Sequence, residues 1–372
     1  MIYLDNGATS FCKPPQVSCA VLRAMETCAN PGRGGYQAAM NAMEEVYRCR
    51  EEAGKLFDCD PEQVVFTSNC THGLNIALRS LIKPGDKVLI SGFEHNAVTR
   101  TLALIRGEGI VAGRKLFDQA DTLAAFERGL KERPAAAVFT HVSNVFGYIL
   151  PVEGMAALCR ERGVPFVLDA AQSAGSLPVS LKKLGAEFIA APGHKGLLGP
   201  QGTGVLLCGG GARPLMAGGT GSESGRQEMP EFLPDRLEAG TVNVPGICGL
   251  RAGISHIRRM GTAQIGCREA EAAKMCAGML EHHGYRVFHG PDQSGTVSFV
   301  PDMDCEEMAE NLGRRGIAVR AGLHCAPLAH ESAGTLETGT VRVSFGLDAS
   351  VRQVQELDRV LWEIEPRKTK KL

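Results

Sequence analysis

A lysine at the end of an apolar run is the residue in this sequence best suited to covalent chemistry. Lys195 follows the run from Phe188 to Ala191, and Pro192 and Gly193 break that run just before it. The pattern predicts a short buried strand with the lysine beyond its carboxyl end. An amine in such a place, framed by small residues, can form a Schiff base with a carbonyl cofactor. A solvated lysine in a surface turn is the structural alternative.

A carboxylate in a similar position would complete a site for a pyridine ring. Asp169 follows the apolar run from Val164 to Leu168. A desolvated carboxylate that faces a cation stays ionised and can hold the proton of a pyridinium ring. Asp169 is equally suited to capping the helix that follows it.

Other polar side chains also follow apolar runs, and each has a functional and a structural interpretation. His95 could stack on an aromatic ring or cap its own helix. Thr71 begins a predicted helix, where free N–H groups and the helix dipole favour a phosphate. His194 can donate a hydrogen bond to a phosphate and Gln172 to a phenolate oxygen. Asn144 also ends a strand, and ligands of parallel sheets bind at that edge.

A cysteine in the C-terminal part of the chain is a candidate nucleophile. Gly322 and Pro327 bracket the loop that carries Cys325, so we expect its thiol to be exposed. Positive charge on the neighbouring His324 and Arg320 would favour the nucleophilic thiolate. The alternative is a chance cysteine, because the chain contains 13.

One arginine lies inside a predicted strand, where a charged side chain is unusual. Arg342 occupies the run Val341 to Ser344. A buried guanidinium requires a carboxylate partner. A substrate carboxylate and an internal ion pair fit that requirement equally well.

The elements that must position these residues indicate an α/β fold. Continuous apolar strands alternate with amphipathic helices from residue 64 to residue 208, which predicts a mostly parallel central sheet covered by helices on both faces. Residues 209–228 are glycine-rich and predict a loop. The remaining residues predict a smaller α+β C-terminal lobe, which ends in a helix with a capping box at Ser350 and Gln353.

Composition restricts the class of protein. The chain has 372 residues, is 44% hydrophobic and carries a net charge of −1, as expected of a globular enzyme without nucleic-acid or membrane partners. We find neither a transmembrane run nor the pattern of a signal peptide. The cysteines form no C-x-x-C pair, which predicts free thiols in a cytoplasmic protein and no metal site. The basic stretch from Arg367 to Lys371 is expected to be a solvated end.

Taken together, these motifs resemble the class V aminotransferase family of pyridoxal-phosphate enzymes. Within it they are most similar to the cysteine desulfurases and selenocysteine lyases, especially the second type, whose catalytic loop is short. The similarity runs over nearly the whole chain. Its most specific parts are Asp169–Gln172, Gly193–Lys195, Glu238–Thr241 and Arg320–Pro327.

The resemblance implies the pyridoxal-phosphate fold-type I and one family unit over residues 2–365. It implies a large cofactor-binding domain at 16–254 and a small domain formed by 1–15 and 255–372. The implied cofactor is pyridoxal 5′-phosphate. The implied cofactor-binding residues are Lys195, Asp169, Gln172, His95, Thr71, Cys70 and His194, together with Gly240 and Thr241 from the second subunit of a homodimer.

For the reaction, the resemblance implies that Cys325 attacks the sulfur of L-cysteine, becomes a persulfide and leaves alanine. Lys195 would also move protons, and His95 would belong to the catalytic set. Asn144, Arg320 and Arg342 would hold the substrate, Arg342 by its carboxylate. The sulfur would pass to an acceptor protein in sulfur metabolism, including iron–sulfur cluster assembly.

The sequence departs from the family pattern at several positions. Pro192 stands where relatives carry a hydroxyl residue, so one phosphate contact is missing. Cys70 replaces one of two adjacent threonines at the phosphate helix, and Gly32 stands where relatives often carry histidine. The segment 209–235 does not match the hairpin expected of the second type. These departures leave the cofactor chemistry intact but do not identify the sulfur acceptor.

Other functions remain alternatives. A selenocysteine lyase would share these residues. A class V aminotransferase or β-lyase would leave Cys325 idle. A non-catalytic scaffold would be expected to have lost Lys195 or Asp169, and both are present.

Overall fold

The computed structural model describes residues 1–32 and 34–365. Arg33 and the basic stretch after residue 365 lie outside the described residues. Among the described helices, none combines the length and the apolar character that a membrane span requires.

A seven-stranded sheet dominates the described residues. Five of its strands consist entirely of buried residues, and the other two are buried at their carboxyl ends, which explains their apolar sequences. The strand order is β2-β8-β7-β6-β5-β3-β4, and β8 alone runs antiparallel to its neighbours. The strands are β2 (Val64–Thr67), β3 (Lys87–Ser91), β4 (Glu108–Ala112), β5 (Ala136–Thr140), β6 (Phe166–Asp169), β7 (Phe188–Pro192) and β8 (Gly204–Cys208).

Helices cover both faces of this sheet. Two apolar cores lie on its opposite sides. The prediction of a mostly parallel sheet covered by helices is therefore confirmed. The helices of this part are α1 (Pro15–Thr27), α2 (Gln37–Phe57), α3 (Cys70–Leu81), α4 (Asn96–Ile105), α5 (Gln119–Leu130), α6 (Val152–Arg162), α7 (Leu181–Leu184) and α8 (Val244–Met260).

The C-terminal part forms a smaller α+β arrangement around a third core. Its antiparallel sheet has the order β12-β13-β10-β9, and β1 (Ile2–Tyr3) pairs with β11. The predicted capping box of the last helix is confirmed. The elements are α9 (Thr262–His282), β9 (Arg286–Phe288), β10 (Thr296–Val300), α10 (Cys305–Arg314), β11 (Ile317–Ala318), β12 (Arg320–Gly322), α11 (Pro327–Ala333), β13 (Thr340–Ser344) and α12 (Val351–Ile364).

Some elements differ from the prediction. The run from Ile317 to Arg320, expected to be one strand, divides between β11 and β12, which pair with different strands. The short elements α7, β9 and α11 were not predicted, because they are too brief to show a period. Residues 209–243 contain neither helix nor strand, in agreement with the predicted loop. The domain boundaries stay a prediction.

Candidate active site

Lys195 lies just beyond the carboxyl end of β7, against a turn that follows β6. A Cβ atom on Gly196 would lie 2.3 Å from the carbonyl oxygen of Ala174, so only glycine permits this close approach. Burial lowers the pKa of the Lys195 amine, and the charge of Asp169 opposes that effect. The lower pKa enriches the uncharged amine, which is the form that attacks a carbonyl.

Asp169 ends β6 and is almost completely buried. Its Oδ1 accepts the N–H of Ala171 at 2.9 Å and the thiol of Cys70 at 3.4 Å. Its Oδ2 accepts no hydrogen bond from the described residues, although the side chain lines a cavity together with Lys195. The Ala171 contact closes a turn, and the alternative that Asp169 caps a following helix is wrong, because the next helix after β6 is α7 at Leu181. The free oxygen leaves Asp169 able to hold a second donor.

The N-terminus of α3 provides donors for an anion. The side chain of Asn69 caps the helix by accepting the N–H of His72 at 2.9 Å. The first N–H groups of the helix, at Cys70 and Thr71, have no partner within it, and both residues line the cavity. Pro192 also lines the cavity and brings no hydroxyl.

His194 and Gln172 also line the cavity, and both contact the N-terminal segment. His194 Nδ1 is 3.0 Å from the hydroxyl of Thr9, and burial lowers the pKa of His194 to about 4. The ring is therefore neutral at physiological pH and can offer one N–H rather than a charge. Gln172 donates from Nε2 to the Gly7 carbonyl at 2.9 Å. In this arrangement that amide holds the N-terminal segment against the site.

His95 is the N-cap of α4, and its Nδ1 accepts the N–H of Ala97 at 3.0 Å. The ring still lines the cavity. Burial lowers the pKa of His95, which favours the neutral imidazole. The capping and stacking roles are therefore compatible, because the cap fixes the ring's orientation.

Arg342 makes an internal ion pair, which was one of the two predicted alternatives. Its Nη2 lies 2.7 Å from Asp5 Oδ1, and its Nη1 donates to the Asn144 carbonyl at 2.9 Å. Each terminal nitrogen keeps a second N–H, and the side chain lines the cavity. A substrate carboxylate could therefore be bound in addition to Asp5.

Cys325 is exposed, as predicted, on a tight loop. His324 and Cys325 both have left-handed backbone conformations, with φ of 49° and 58°. The loop is held by hydrogen bonds from Asn144 Nδ2 to the His324 carbonyl and from the Asn96 N–H to the Cys325 carbonyl, both at 2.7 Å. The thiol is thus presented on a fixed backbone.

The expectation of a positive charge on His324 is wrong. The ring is buried, and burial lowers its pKa to about 2. The imidazole is neutral at physiological pH and cannot stabilise a thiolate by charge. Its proximity to Cys325 in sequence gave no indication of this burial.

One cavity of about 240 Å³ brings most of the predicted residues together. The residues predicted to bind the cofactor that line it are Cys70, Thr71, His95, Asp169, Gln172, His194 and Lys195. The residues predicted to act on or hold the substrate that line it are Asn144, Arg320, Cys325 and Arg342.

Gly240 and Thr241 lie elsewhere. They line a separate cavity of about 810 Å³ beside α2. The segment before them is anchored by Glu238, whose carboxylate forms a buried two-point ion pair with Arg50 at 2.9 and 2.6 Å. Within one chain, these two residues do not contribute to the cavity that contains Lys195.

Comparison with known proteins shows the family. The sequence profile of the class V aminotransferases matches residues 2–357. The chain belongs to the class V aminotransferase family. A probable cysteine desulfurase of Methanothermobacter thermautotrophicus is 32% identical, with 98% of this chain and 94% of the relative covered. One of Pyrococcus abyssi is 33% identical, with the same coverage.

Solved structures agree. The apo structure of a cysteine desulfurase from Thermococcus onnurineus superimposes with a TM-score of 0.88 at 32% identity, covering 98% of this chain and 94% of that one. Members of this family depend on pyridoxal 5′-phosphate. The cavity fits that cofactor, because it offers an amine of lowered pKa, a buried carboxylate with one free oxygen, and free N–H groups at a helix N-terminus.

Sequence reasoning missed two residues that shape the site. Glu94, immediately before His95, is completely buried and accepts the Thr140 N–H at 3.0 Å. Its position just beyond the end of a predicted strand could have marked it as a candidate site residue. Asp5, the partner of Arg342, gave no such signal, because the two residues are far apart in sequence.

Proposed function

We propose that this chain is a pyridoxal-phosphate-dependent cysteine desulfurase, which converts L-cysteine to L-alanine and transfers the sulfur to Cys325. The observation that carries the proposal is that one cavity is lined by Lys195 and Asp169 and also by the exposed thiol of Cys325. An aminotransferase needs the first two residues but not the third. The names of the relatives support the same reaction.

When bound, the cofactor supplies an electron sink next to the amino-acid carbon that carries the nitrogen. Lys195 Nζ would hold the carbonyl group of the cofactor and afterwards move protons on the substrate. Asp169 Oδ2 would hold the proton of the ring nitrogen. The helix N-terminus at Thr71, with His194 as a neutral donor, would bind the phosphate, and His95 would stack on the ring.

The substrate side would orient the amino acid. Arg342 is held by Asp5 and by the Asn144 carbonyl, so its remaining N–H groups have a fixed direction. They would bind the substrate carboxylate, because a guanidinium recognises a carboxylate through paired N–H groups. Arg320, which is exposed at the cavity, would add positive charge.

The sulfur transfer balances without an external oxidant. The thiolate of Cys325 attacks the sulfur of the substrate and forms an S–S bond. The carbon–sulfur bond breaks, and its electron pair stays with the carbon. That carbon takes up one proton, which Lys195 Nζ would deliver, and the products are alanine and the Cys325 persulfide.

A homodimer would complete the cofactor site. Gly240 and Thr241 lie outside the cavity of their own chain, so any contact with the phosphate must come from a second copy. The surface of α1 and α2 supports this arrangement, because large apolar side chains are exposed on these helices and α2 lines the same cavity as Gly240 and Thr241. The exposed side chains are Leu22 and Met25 on α1, and Tyr36, Met40, Met43 and Tyr47 at and along α2.

The persulfide would then pass to a thiol on an acceptor protein. Exposure of Cys325 at the surface supports direct access by that protein. All 13 cysteines lie in the described residues and are free thiols, which supports a cytoplasmic location.

Product analysis tests the proposal. With L-cysteine and a reducing thiol, the purified cofactor-loaded protein should release equal amounts of alanine and sulfide. Cys325→Ala should keep the visible absorbance of the bound cofactor and release no sulfide. Sulfide release by that variant would favour a β-lyase, and product formation from L-selenocysteine alone would assign a selenocysteine lyase.

A further inference from the structure

Cys70, the residue that departs from the usual threonine, contacts the carboxylate that faces the cofactor site. It is the first residue of α3 and is buried. Its Sγ lies 3.4 Å from Asp169 Oδ1, which also accepts the Ala171 N–H at 2.9 Å. Two donors therefore occupy one carboxylate oxygen, and the other oxygen accepts none from the described residues.

We propose that Cys70 is a positioning residue that orients Asp169 and lessens the negative charge it presents to the cavity, through an S–H hydrogen bond to Oδ1. The inference rests on the proposed cofactor site and not on the sulfur chemistry. Its partner and geometry differ from those of a phosphate contact, which was the role expected from its position at the helix N-terminus.

The thiol is the donor in this contact. Burial raises the pKa of Cys70 well above its usual range, and the charge of Asp169 raises it further. The sulfur therefore keeps its proton at physiological pH, and the adjacent carboxylate accepts the hydrogen bond from the S–H group. A thiolate at this position would place two negative charges in contact within a buried site, which is strongly unfavourable.

The hydrogen bond has two consequences for the site. It fixes the rotation of the carboxylate, so that Oδ2 is the oxygen left for the ring nitrogen of the cofactor. It also withdraws negative charge from Asp169, because a donor to a carboxylate stabilises its ionised form. A thiol is a weak donor, and a hydroxyl in the same place would withdraw more charge.

These consequences predict shifts of opposite sign in two variants. Cys70→Ala removes the donor, so Asp169 presents more negative charge to the ring of the bound cofactor. That charge favours the protonated form of the bound cofactor–lysine unit. We expect the pH midpoint of its visible absorbance change to rise by about 0.3 to 1 pH unit, equivalent to a two- to tenfold change in proton affinity. Cys70→Ser supplies a stronger donor, and its midpoint should fall.

The experiment is a pH titration of the visible spectrum of the cofactor-loaded wild type and variants. Cys208→Ala is the matched control, since Cys208 is a buried thiol in β8 that does not line the cavity, and its midpoint should equal that of the wild type. Opposite shifts in the two Cys70 variants support the proposal. An unchanged midpoint in either variant, a fall in Cys70→Ala or a rise in Cys70→Ser overturns it, so either variant alone is a sufficient test if the other fails to fold.

The same titration separates this inference from the proposed function. A wild-type protein that forms no visible band overturns both the cofactor site and the role of Cys70. A normal band with no dependence on residue 70 overturns only the role of Cys70. Neither outcome depends on sulfide production.

Discussion

The buried carboxyl group of Glu94 allows the pH dependence of the protein's stability to be predicted in numbers. The side chain is completely buried, its Oε1 accepts hydrogen bonds from Ser91 and Thr140, and its Oε2 has no partner among the described residues. Burial raises the pKa of Glu94 to about 8, and the charge of Asp169 contributes in the same direction. The neutral acid keeps a second negative charge away from Asp169. We predict that Glu94→Gln makes stability less dependent on pH.

The sign follows from proton linkage. In the unfolded chain this carboxyl ionises near its ordinary pKa of 4.5, whereas in the folded protein it keeps its proton up to about pH 8. Between these values the folded state binds one more proton than the unfolded state, so the contribution to stability is lost as pH rises. The slope is about 1.4 kcal/mol per pH unit. Glutamine keeps the shape of the side chain and does not titrate.

The expected shift in melting temperature can be worked out from chain length. At about 2.1 cal/mol/K per residue, the unfolding entropy of 372 residues is about 0.8 kcal/mol/K. A change of about 1.4 kcal/mol then corresponds to about 2 °C. The melting temperature of Glu94→Gln relative to wild type should therefore rise by about 2 °C for each pH unit between about pH 5.5 and 7.5.

Thermal unfolding of the cofactor-saturated proteins, followed by circular dichroism, measures this difference. Other titrating groups are shared by both proteins and cancel. Glu153→Gln is the control, because Glu153 is an exposed carboxylate paired with Lys183, and its difference from wild type should not vary with pH in this range. A constant difference for Glu94→Gln as well would show that Glu94 is ionised at neutral pH and would refute the reasoning.

Two further changes test Arg342 as a substrate-binding residue and Glu238 as the anchor of the segment before Gly240. Arg342→Lys should raise KM for L-cysteine about ten- to a hundredfold while the cofactor spectrum is unchanged, because a single ammonium cannot replace paired N–H groups; an unchanged KM in steady-state kinetics would remove Arg342 from substrate binding. Glu238→Ala should destabilise the protein by about 3 to 5 kcal/mol, since it leaves Arg50 buried without its carboxylate. Calorimetry would contradict this if the melting temperature stayed within about 1 °C of wild type.

The sequence predicted the parts of the fold that depend on local pattern. The strands that end at Asp169 and near Lys195 are continuous apolar runs, and such runs between helices require a covered parallel sheet. The carboxyl ends of those strands share one edge, so the residues that follow them meet in the same cavity. The position of the cavity was therefore predictable without knowledge of any long-range contact.

Contacts between distant segments were not predictable from local pattern. The pairing of Asp5 with Arg342 depends on the packing of the N-terminal strand beside the C-terminal lobe. The neutral state of His324 depends on its burial against Thr340, which no period in the sequence indicates. The contact of Cys70 with Asp169 likewise depends on how α3 meets the end of β6.

The most direct test of the central claim is to locate the sulfur after a single turnover. The cofactor-loaded protein would be mixed with one equivalent of L-cysteine in the absence of reducing thiol, trapped by alkylation and digested for peptide mass spectrometry. The account predicts one added sulfur atom on Cys325, together with one equivalent of alanine, and neither product from Lys195→Ala. Added sulfur on a different cysteine, or the same yield of alanine from Cys325→Ser, would contradict it.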